Sequence, residues 1–309
     1  MSSAFVFPGQ GSQSIGMMNS LASAFPAVQD TYAQASAVLD YDLWQVVCEG
    51  PEDRLNSTDV TQPAMLAAGV ATWRIWQAQG GAMPDLMAGH SLGEYTALVC
   101  AGAMVFEDAV KLVAARGRYM QEAVPKGTGA MAAILGLDDT DVIAVCEAAA
   151  QNEIVQAVNF NSPGQVVVAG NKAAVERAAE LAKQKGAKRA MILPVSVPSH
   201  CQLMKPAADR LAQELRTITI NTPAIPVINN VDVQSPGEAD AIRDALARQL
   251  YQPVRWVEVI QAMTHAGMTS IIECGPGKVL VGLDKRIDKS VTHAAITDAD
   301  SLTACLSNA

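Results

Sequence analysis

The sequence lacks a Cys-x-x-Cys pair, an excess of positive charge and any apolar run long enough to cross a membrane. Its six cysteines are scattered and mostly lie inside apolar segments, as reduced, buried thiols do. This pattern argues against a disulfide framework or a zinc site, and we expect no metal. A membrane span needs about 18 apolar residues, and the N-terminus lacks the basic region and apolar core of a secretory signal. We therefore expect a soluble, cytoplasmic protein with no membrane partner.

The charge balance is acidic, with a formal net charge of −9 at pH 7. The long-range field of such a chain repels phosphate, so we expect no nucleic-acid partner. An anionic partner would need a local basic patch, and two groups of residues are candidates. The first basic cluster comprises Lys183, Lys185, Lys188 and Arg189, and the second comprises Lys278, Lys285, Arg286 and Lys289.

Strand and helix patterns alternate along most of the 309 residues, without repeats or linkers. Short, almost wholly apolar strands are predicted at residues 4–7, 86–88, 225–229 and 270–273. Strands that are apolar on both faces indicate a parallel sheet covered by helices. We therefore predict an α/β fold whose large domain is α/β-hydrolase-like and has a mainly parallel sheet.

Residues 127–197 follow a different order and look like a compact inserted domain. Strands are predicted at 130–135, 154–160, 166–169 and 190–195, and helices at 139–150 and 173–185. This β-α-β-β-α-β order is that of a ferredoxin-like unit. The large domain would then comprise residues 1–126 and 198–309, with the active site where its strand ends meet the insert.

A single serine stands between two glycines at Gly89-His90-Ser91-Leu92-Gly93, between a short apolar strand and a helical pattern. Strand, sharp turn and helix in this order are typical of a nucleophile elbow, although a simple turn is the alternative. The pattern predicts that Ser91 is a nucleophile. The amide of Leu92, at the start of the helix, could donate to an oxyanion.

A serine nucleophile needs a base, and His200 is the best candidate among four histidines. Ser199 and Gln202 fit a capping box, although Pro206 leaves the helix start open. If His200 lies in a first helical turn, the helix dipole would lower its pKa. The alternative is a histidine that binds only solvent at a helix start. The other three histidines, His90, His265 and His293, are predicted to point elsewhere or to lie on the surface.

Arg116 lies within an apolar stripe of a helix predicted over residues 107–122. A guanidinium buried there must find an anion. Composition alone favours an internal Asp or Glu partner over a substrate carboxylate. The rest of the stripe is Ala109, Leu112, Val113 and Met120.

Two glycine-rich turns follow predicted strands. The turn at Gly9-Gln10-Gly11 misses the dinucleotide fingerprint, because Ser14 occupies the third glycine position. We expect instead that the Gln10 N–H is a second oxyanion donor. The other turn, at Gly275-Pro276-Gly277-Lys278, is a weaker candidate for binding an anion.

Several motifs occur together in one order: residues 7–13 (FPGQGSQ), 89–95 (GHSLGEY), 159–165 (NFNSPGQ), 197–200 (VPSH) and 229–232 (NNVD), together with Arg116. In this combination the chain resembles the malonyl-CoA:acyl carrier protein transacylases of fatty-acid synthesis. The resemblance covers nearly the whole chain, from Phe5 to about Arg286.

The resemblance implies a ping-pong transfer through a malonyl-serine, with malonyl-CoA and acyl carrier protein as partners. It implies no cofactor, because the coenzyme A thioester is the substrate, and the protein is expected to be a monomer. The implied residues are Ser91 as nucleophile, His200 as base, the Gln249 carbonyl that orients it, the oxyanion donors Gln10 and Leu92, and Arg116 for the substrate carboxylate. For Arg116, the resemblance favours the substrate carboxylate over the internal Asp or Glu partner that composition alone favours.

Three alternatives stay open. A serine esterase or thioesterase could use the same Ser91, His200 and oxyanion donors. A free-standing acyltransferase of polyketide synthesis differs only in its carrier protein. A non-enzymatic nucleotide-binding or scaffold protein could be built on the loop at Gly9-Gln10-Gly11.

Overall fold

Two β-sheets organise the computed structural model, which describes residues 2–195 and 197–308. The first sheet has five parallel strands in the order β7-β2-β1-β8-β9. Its strands are β1 Ser3–Phe7, β2 Leu86–Gly89, β7 Val227–Ile228, β8 Ser270–Cys274 and β9 Thr292–Ile296. The predicted α/β class with a parallel sheet is confirmed.

The second sheet has four antiparallel strands in the order β4-β5-β3-β6. Its strands are β3 Gly129–Leu135, β4 Val155–Ser162, β5 Gln165–Asn171 and β6 Arg189–Ile192. With helices α8 Asp139–Ala150 and α9 Lys172–Gln184, the chain order is β-α-β-β-α-β, as predicted for a ferredoxin-like unit. All of these elements lie within residues 127–197, while the exact domain boundaries stay a prediction.

Helices cover both sheets. They are α1 Asn19–Ala24, α2 Ala27–Ser36, α3 Leu43–Glu49, α4 Glu52–Leu55, α5 Thr58–Ala78, α6 Gly93–Cys100, α7 Phe106–Ala123, α8 Asp139–Ala150, α9 Lys172–Gln184, α10 Lys205–Thr217, α11 Ala239–Gln249, α12 Trp256–His265, α13 Val279–Ile287 and α14 Ala299–Ser307. In the described part of the chain, none is both long and apolar enough to span a membrane.

Strand β1 explains why the first sheet needs helices on both faces. All five of its residues are buried, and alternate side chains enter different cores. Phe5 and Phe7 pack into a large core with Trp73 of α5, whereas Val6 packs on the opposite face with Trp256 of α12. Because successive side chains of a strand point to opposite faces, an all-apolar strand places hydrophobic surface on both sides.

Three strands differ from the prediction for identifiable physical reasons. Strand β9 was missed, because its edge sequence Thr-His-Ala-Ala-Ile has little apolar periodicity. Strand β7 is shorter than residues 225–229, since Pro226 cannot donate a ladder hydrogen bond and an asparagine follows. Strand β6 ends at Ile192 rather than at 195, just before Pro194.

Candidate active site

The turn around Ser91 has the geometry of a nucleophile elbow. Strand β2 ends at Gly89, α6 begins at Gly93, and Ser91 has a φ of +52°, in the left-handed region. A Cβ at Gly89 would lie 1.8 Å from the Gly93 carbonyl carbon, and a Cβ at Gly93 would lie 2.0 Å from the Phe7 oxygen. Both glycines are therefore required by close backbone contact. The predicted strand, turn and helix are confirmed.

Ser91 and His200 are hydrogen-bonded, with 2.8 Å between Oγ and Nε2. On the other side of the ring, Nδ1 lies 2.6 Å from the backbone oxygen of Gln249. A carbonyl only accepts, so Nδ1 carries the proton and Nε2 is free to accept from the serine hydroxyl. The structure thus brings together the three residues that the resemblance groups.

Burial lowers the pKa of His200 to about 3, and the positive charge of Arg116 contributes to this shift. The neutral imidazole that a general base requires is therefore stable at neutral pH. The physical cause differs from the predicted one, because His200 does not lie in a helical turn.

The predicted capping box at Ser199 and Gln202 was wrong. His200 has a φ of +66° and precedes a 3₁₀ turn at Gln202–Met204, and α10 begins only at Lys205. Proline is favoured in the first turn of a helix, because the N–H that it lacks would have no intrahelical acceptor there. Pro206 therefore places the start of α10 after His200.

Arg116 is fully buried on α7, as the apolar stripe predicted, but its partners are neutral. Nη1 donates to Gln62 Oε1 at 2.8 Å, and Nη2 donates to Gln249 Oε1 at 3.1 Å and to Ser91 Oγ at 3.3 Å. The guanidinium also stacks over the ring of Tyr95. In the described residues it makes no hydrogen bond to a carboxylate, and its Nε atom has no partner. The internal Asp or Glu partner favoured by composition is therefore not in contact with it.

The loop after β1 lies against the elbow. A Cβ on Gly9 would be 2.4 Å from the His90 oxygen and 3.7 Å from the Leu92 nitrogen. Gln10 and Leu92 both line the same cleft as Ser91. Neither of their amides has a hydrogen-bond acceptor within residues 2–195 and 197–308. Both N–H groups are thus available to a ligand, as expected of oxyanion donors.

Three buried polar residues of the site were not predicted. Asn230 accepts from the Ser91 amide at 2.7 Å and donates to the Gly89 oxygen at 2.7 Å, so it ties the two arms of the elbow together. Glu94 Oε2 accepts from the backbone N–H of Asn230 at 2.9 Å. Gln62 holds Arg116. Residues 229–232 gave a signal for Asn230, because they follow β7 at the carboxyl end of the sheet, where ligands bind.

A cleft of about 660 Å³ opens above Ser91, between the two sheets. Its wall from the second sheet includes Met131, Asn159, Asn161 and Val167. His90 is not a base for the serine: its Nε2 lies 2.8 Å from Asn161 Oδ1, and its ring packs near Trp256. The location predicted for the site, where strand ends meet the inserted unit, agrees with this cleft.

Comparison with known proteins decides the family. A model described as "Acyl transferase domain" matches residues 4–299. The chain belongs to this acyl transferase family. It is 59% identical over 303 residues to a malonyl CoA-acyl carrier protein transacylase of Escherichia coli strain K12, covering 98% of each chain.

The structure of this acyltransferase matches solved structures along almost its whole length. A malonyl CoA-acyl carrier protein transacylase from Coxiella burnetii is 53% identical with a TM-score of 0.98, covering 99% of this chain and 97% of the other. A malonyl-transacylase in complex with a type II PKS acyl-carrier protein is 58% identical with a TM-score of 0.99, covering 100% of both chains.

The second glycine-rich turn of the acyltransferase does not match the predicted anion site. The amides at the start of α13 face an internal anion, because Glu273 Oε2 accepts from the Val281 N–H at 2.9 Å. A carboxyl group of the chain itself thus occupies the helix N-terminus that was predicted to bind an external anion.

The two basic clusters differ in the partners of their charged side chains. In the first, Lys183 lies 3.7 Å from Glu180 and Lys185 lies 4.0 Å from Asp141, whereas Lys188 and Arg189 are exposed next to and on the edge strand β6. In the second, Arg286 donates to Gln165 Oε1 at 2.6 Å, and Gln165 lines the cleft. The second cluster therefore reaches the cleft lining through Arg286.

Proposed function

We propose that this acyltransferase moves a malonyl group from malonyl-CoA to the phosphopantetheine thiol of acyl carrier protein, and so supplies fatty-acid synthesis. One observation carries the proposal: a buried guanidinium, without a carboxylate partner in the described residues, lies 3.3 Å from the serine hydroxyl. A bidentate carboxylate on the acyl group would satisfy Arg116 while its thioester carbon reaches Ser91. The names of the relatives support the same substrate.

The first half-reaction acylates Ser91. His200 Nε2 takes the hydroxyl proton while Oγ attacks the thioester carbon of malonyl-CoA. The amides of Gln10 and Leu92 donate to the oxygen that becomes negative in the tetrahedral intermediate. The intermediate collapses as its carbon–sulfur bond breaks, and the proton on His200 passes to the departing sulfur, which leaves as coenzyme A.

The second half-reaction is the same sequence in reverse, with a new thiol. The carrier's phosphopantetheine thiol gives its proton to His200 and attacks the malonyl ester. Ser91 Oγ leaves and regains the proton. One thioester is exchanged for another, so the site needs only to stabilise two intermediates and exclude water from the ester.

The Gln249 carbonyl, rather than a carboxylate, orients His200. Ser91 and His200 therefore form a catalytic dyad instead of a triad. A neutral carbonyl stabilises the imidazolium less than a carboxylate would. We expect the enzyme to work as a monomer, without a metal or redox cofactor.

A second candidate function has one observation in its favour. A relative that is 58% identical was solved with a type II PKS acyl-carrier protein. The same chemistry on this chain could therefore serve polyketide synthesis. Transfer rates to purified carriers of the two kinds would separate these functions.

Intact-mass measurement tests the covalent mechanism. The purified protein is mixed with malonyl-CoA, and the adduct is located by peptide mapping. We expect one malonyl group on Ser91 and none in the Ser91→Ala variant. An unmodified wild-type protein, or an adduct elsewhere, would refute the proposed mechanism.

A further inference from the structure

The proposed mechanism leaves one buried carboxyl group without a role. Glu94 lies in the first turn of α6, three residues after Ser91, and is only 2% exposed. Its Oε2 accepts from the Asn230 amide at 2.9 Å and from Gln249 Nε2 at 2.8 Å. A carboxylate is costly to bury unless positive charge and hydrogen bonds compensate it.

A single amide side chain connects Glu94 to Arg116. Gln249 Oε1 accepts from Arg116 Nη2 at 3.1 Å, while Nε2 of the same amide donates to Glu94. An ionised carboxylate and a backbone carbonyl only accept, so Glu94 and the Ser91 oxygen at 3.0 Å together hold the NH₂ group of Gln249 and leave its oxygen for the guanidinium. The amide dipole is therefore aligned between the two opposite charges.

The pKa shifts fit this arrangement. Burial raises the pKa of Glu94 to about 7, against the hydrogen bonds from Asn230 and Gln249 and the field of Arg116. Burial also lowers the pKa of Arg116, and Tyr95 and Glu94 oppose that change. Each charge thus stabilises the other across the amide.

We propose that Glu94 is the internal counter-ion of Arg116 in the unoccupied site, and that the carboxylate of an incoming acyl group takes over this role. The inference rests on the proposed function. Once a substrate carboxylate pairs with Arg116, Glu94 loses its positive partner and binds a proton. Glu94 is then a positioning residue that sets the balance between carboxylated and neutral acyl groups, and it does not touch the reacting atoms.

Other groups near Glu94 keep their protonation state around neutral pH. Burial raises the pKa of Tyr95 to about 12 and lowers that of His200 to about 3. Asp232, which follows β7, has its pKa lowered by hydrogen bonds from an arginine of α11. Arg116 stays charged. Glu94 is therefore the group that can take up a proton when Arg116 is paired by a substrate.

Two isosteric substitutions test the counter-ion role. Glu94→Gln keeps an acceptor oxygen for Asn230 and Gln249 but removes the charge. Glu273→Gln is the matched control, because Glu273 is also buried and accepts a backbone N–H at a helix start, without a bond to Arg116. Acylation of each protein is measured with malonyl-CoA and with acetyl-CoA.

We expect Glu94→Gln to raise the malonyl-to-acetyl ratio of kcat/KM about tenfold, because the competing anion is gone. Glu273→Gln should leave this ratio within about twofold of wild type. An unchanged or lower ratio in a folded Glu94→Gln protein would overturn the inference. Wild-type protein that forms no malonyl-serine would instead contradict the proposed function itself.

A second measurement covers the case in which Glu94→Gln does not fold. Ser91→Ala protein binds malonyl-CoA without acylation, and calorimetry at about pH 7.5 in two buffers of different ionisation enthalpy gives the protons exchanged. We expect uptake of a fraction of a proton with malonyl-CoA and none with acetyl-CoA. Equal proton exchange with both ligands would contradict a protonation of Glu94.

Discussion

At the scale of single residues, the proposed distinction between acyl transfer and generic ester hydrolysis depends on Arg116. It is buried beside Ser91 and hydrogen-bonds only neutral groups in the described residues. A serine hydrolase of neutral esters has no evident use for such a cation. Glu94 offsets part of the cost of burying this charge across the Gln249 amide, and a carboxylate in the site would offset it by direct contact.

The first prediction concerns the substitution Arg116→Ala. Malonyl transfer should fall about a hundredfold more than acetyl transfer, because a buried, bidentate charge pair is lost only for malonyl. The measurement is kcat/KM for both acyl-CoAs. Arg118→Ala is the control, since Arg118 is exposed on the same helix and should affect neither substrate. Equal losses for the two acyl groups in Arg116→Ala would refute its role as a carboxylate ligand.

A second prediction concerns pH. The pKa of His200 is lowered to about 3, so the imidazole stays neutral as pH falls from about 8 to about 5. The rate of acylation by acetyl-CoA should therefore show no loss near the ordinary histidine pKa of about 6.5. In Arg116→Ala the His200 pKa should rise, because a nearby positive charge is gone, and the acid limb should move towards neutral pH. A midpoint near 6.5 that persists in Glu94→Gln, where the carboxyl group with a pKa of about 7 is absent, would contradict the lowered pKa of His200.

The residue types of the site were more predictable than their partners. Ser91, His200 and Arg116 stand out because elbow glycines, a scarcity of histidines and an apolar stripe mark them locally. The roles of Asn230, Glu94 and Gln62 depend on contacts between segments far apart in the chain. The Gln249 contact with His200 uses a backbone oxygen, which no side-chain pattern encodes.

At the scale of elements, the elbow is the part that most depends on glycine. Phe7 at the end of β1, Gly89 and Gly93 approach so closely that no other residue fits at the two glycine positions. This contact places the start of α6 next to the loop that carries Gln10. The geometry of the elbow and that of the proposed oxyanion donors are therefore linked.

The third prediction is that Gly89→Ala destabilises the fold by about 3 kcal/mol or more, because the new Cβ overlaps backbone atoms that cannot move aside. Urea denaturation measures the change in the free energy of unfolding. Gly282→Ala is the control, since a Cβ at that helical position meets nothing within 4 Å and should be neutral or slightly stabilising. Similar stability for the two variants would show that the elbow tolerates a side chain.

The prediction of helices and strands succeeded where the apolar residues recur with a clear period. The β-α-β-β-α-β order of the second sheet and the boundaries of α8 were correct, because each element has a clear apolar pattern. Strand β9 was missed, since an edge strand buries one side incompletely and carries polar residues. The start of α10 was misplaced because Ser199 and Gln202 mimic a capping box that the local chain does not form.

At the scale of the whole molecule, an enzyme with a net charge of −9 has to meet a carrier whose phosphopantetheine arm bears a phosphate. Such an encounter needs a basic patch near the mouth of the cleft. Arg286 of the second cluster contacts the cleft-lining Gln165, and Lys188 and Arg189 of the first cluster are exposed. The parallel sheet and the need for a local patch followed from composition and strand apolarity, whereas the cleft between the two sheets required the tertiary structure.

The fourth prediction is that charge reversal in one basic cluster weakens carrier binding. The double variants Lys188→Glu/Arg189→Glu and Lys285→Glu/Arg286→Glu are compared with Lys111→Glu/Arg118→Glu, which alters the exposed face of α7. One of the first two should raise KM for the carrier about tenfold and leave acylation by malonyl-CoA unchanged. If all three behave like wild type, the carrier docks elsewhere.

In the proposed function, the acyl-enzyme passes its malonyl group to a carrier thiol rather than to water. Malonyl-enzyme is isolated free of coenzyme A and mixed with acyl carrier protein that bears phosphopantetheine, and both proteins are followed by intact mass. We expect malonyl to leave Ser91 and appear on the carrier, while without the carrier the ester persists. Release of free malonate at the same rate with or without the carrier would instead show that the protein is a thioesterase.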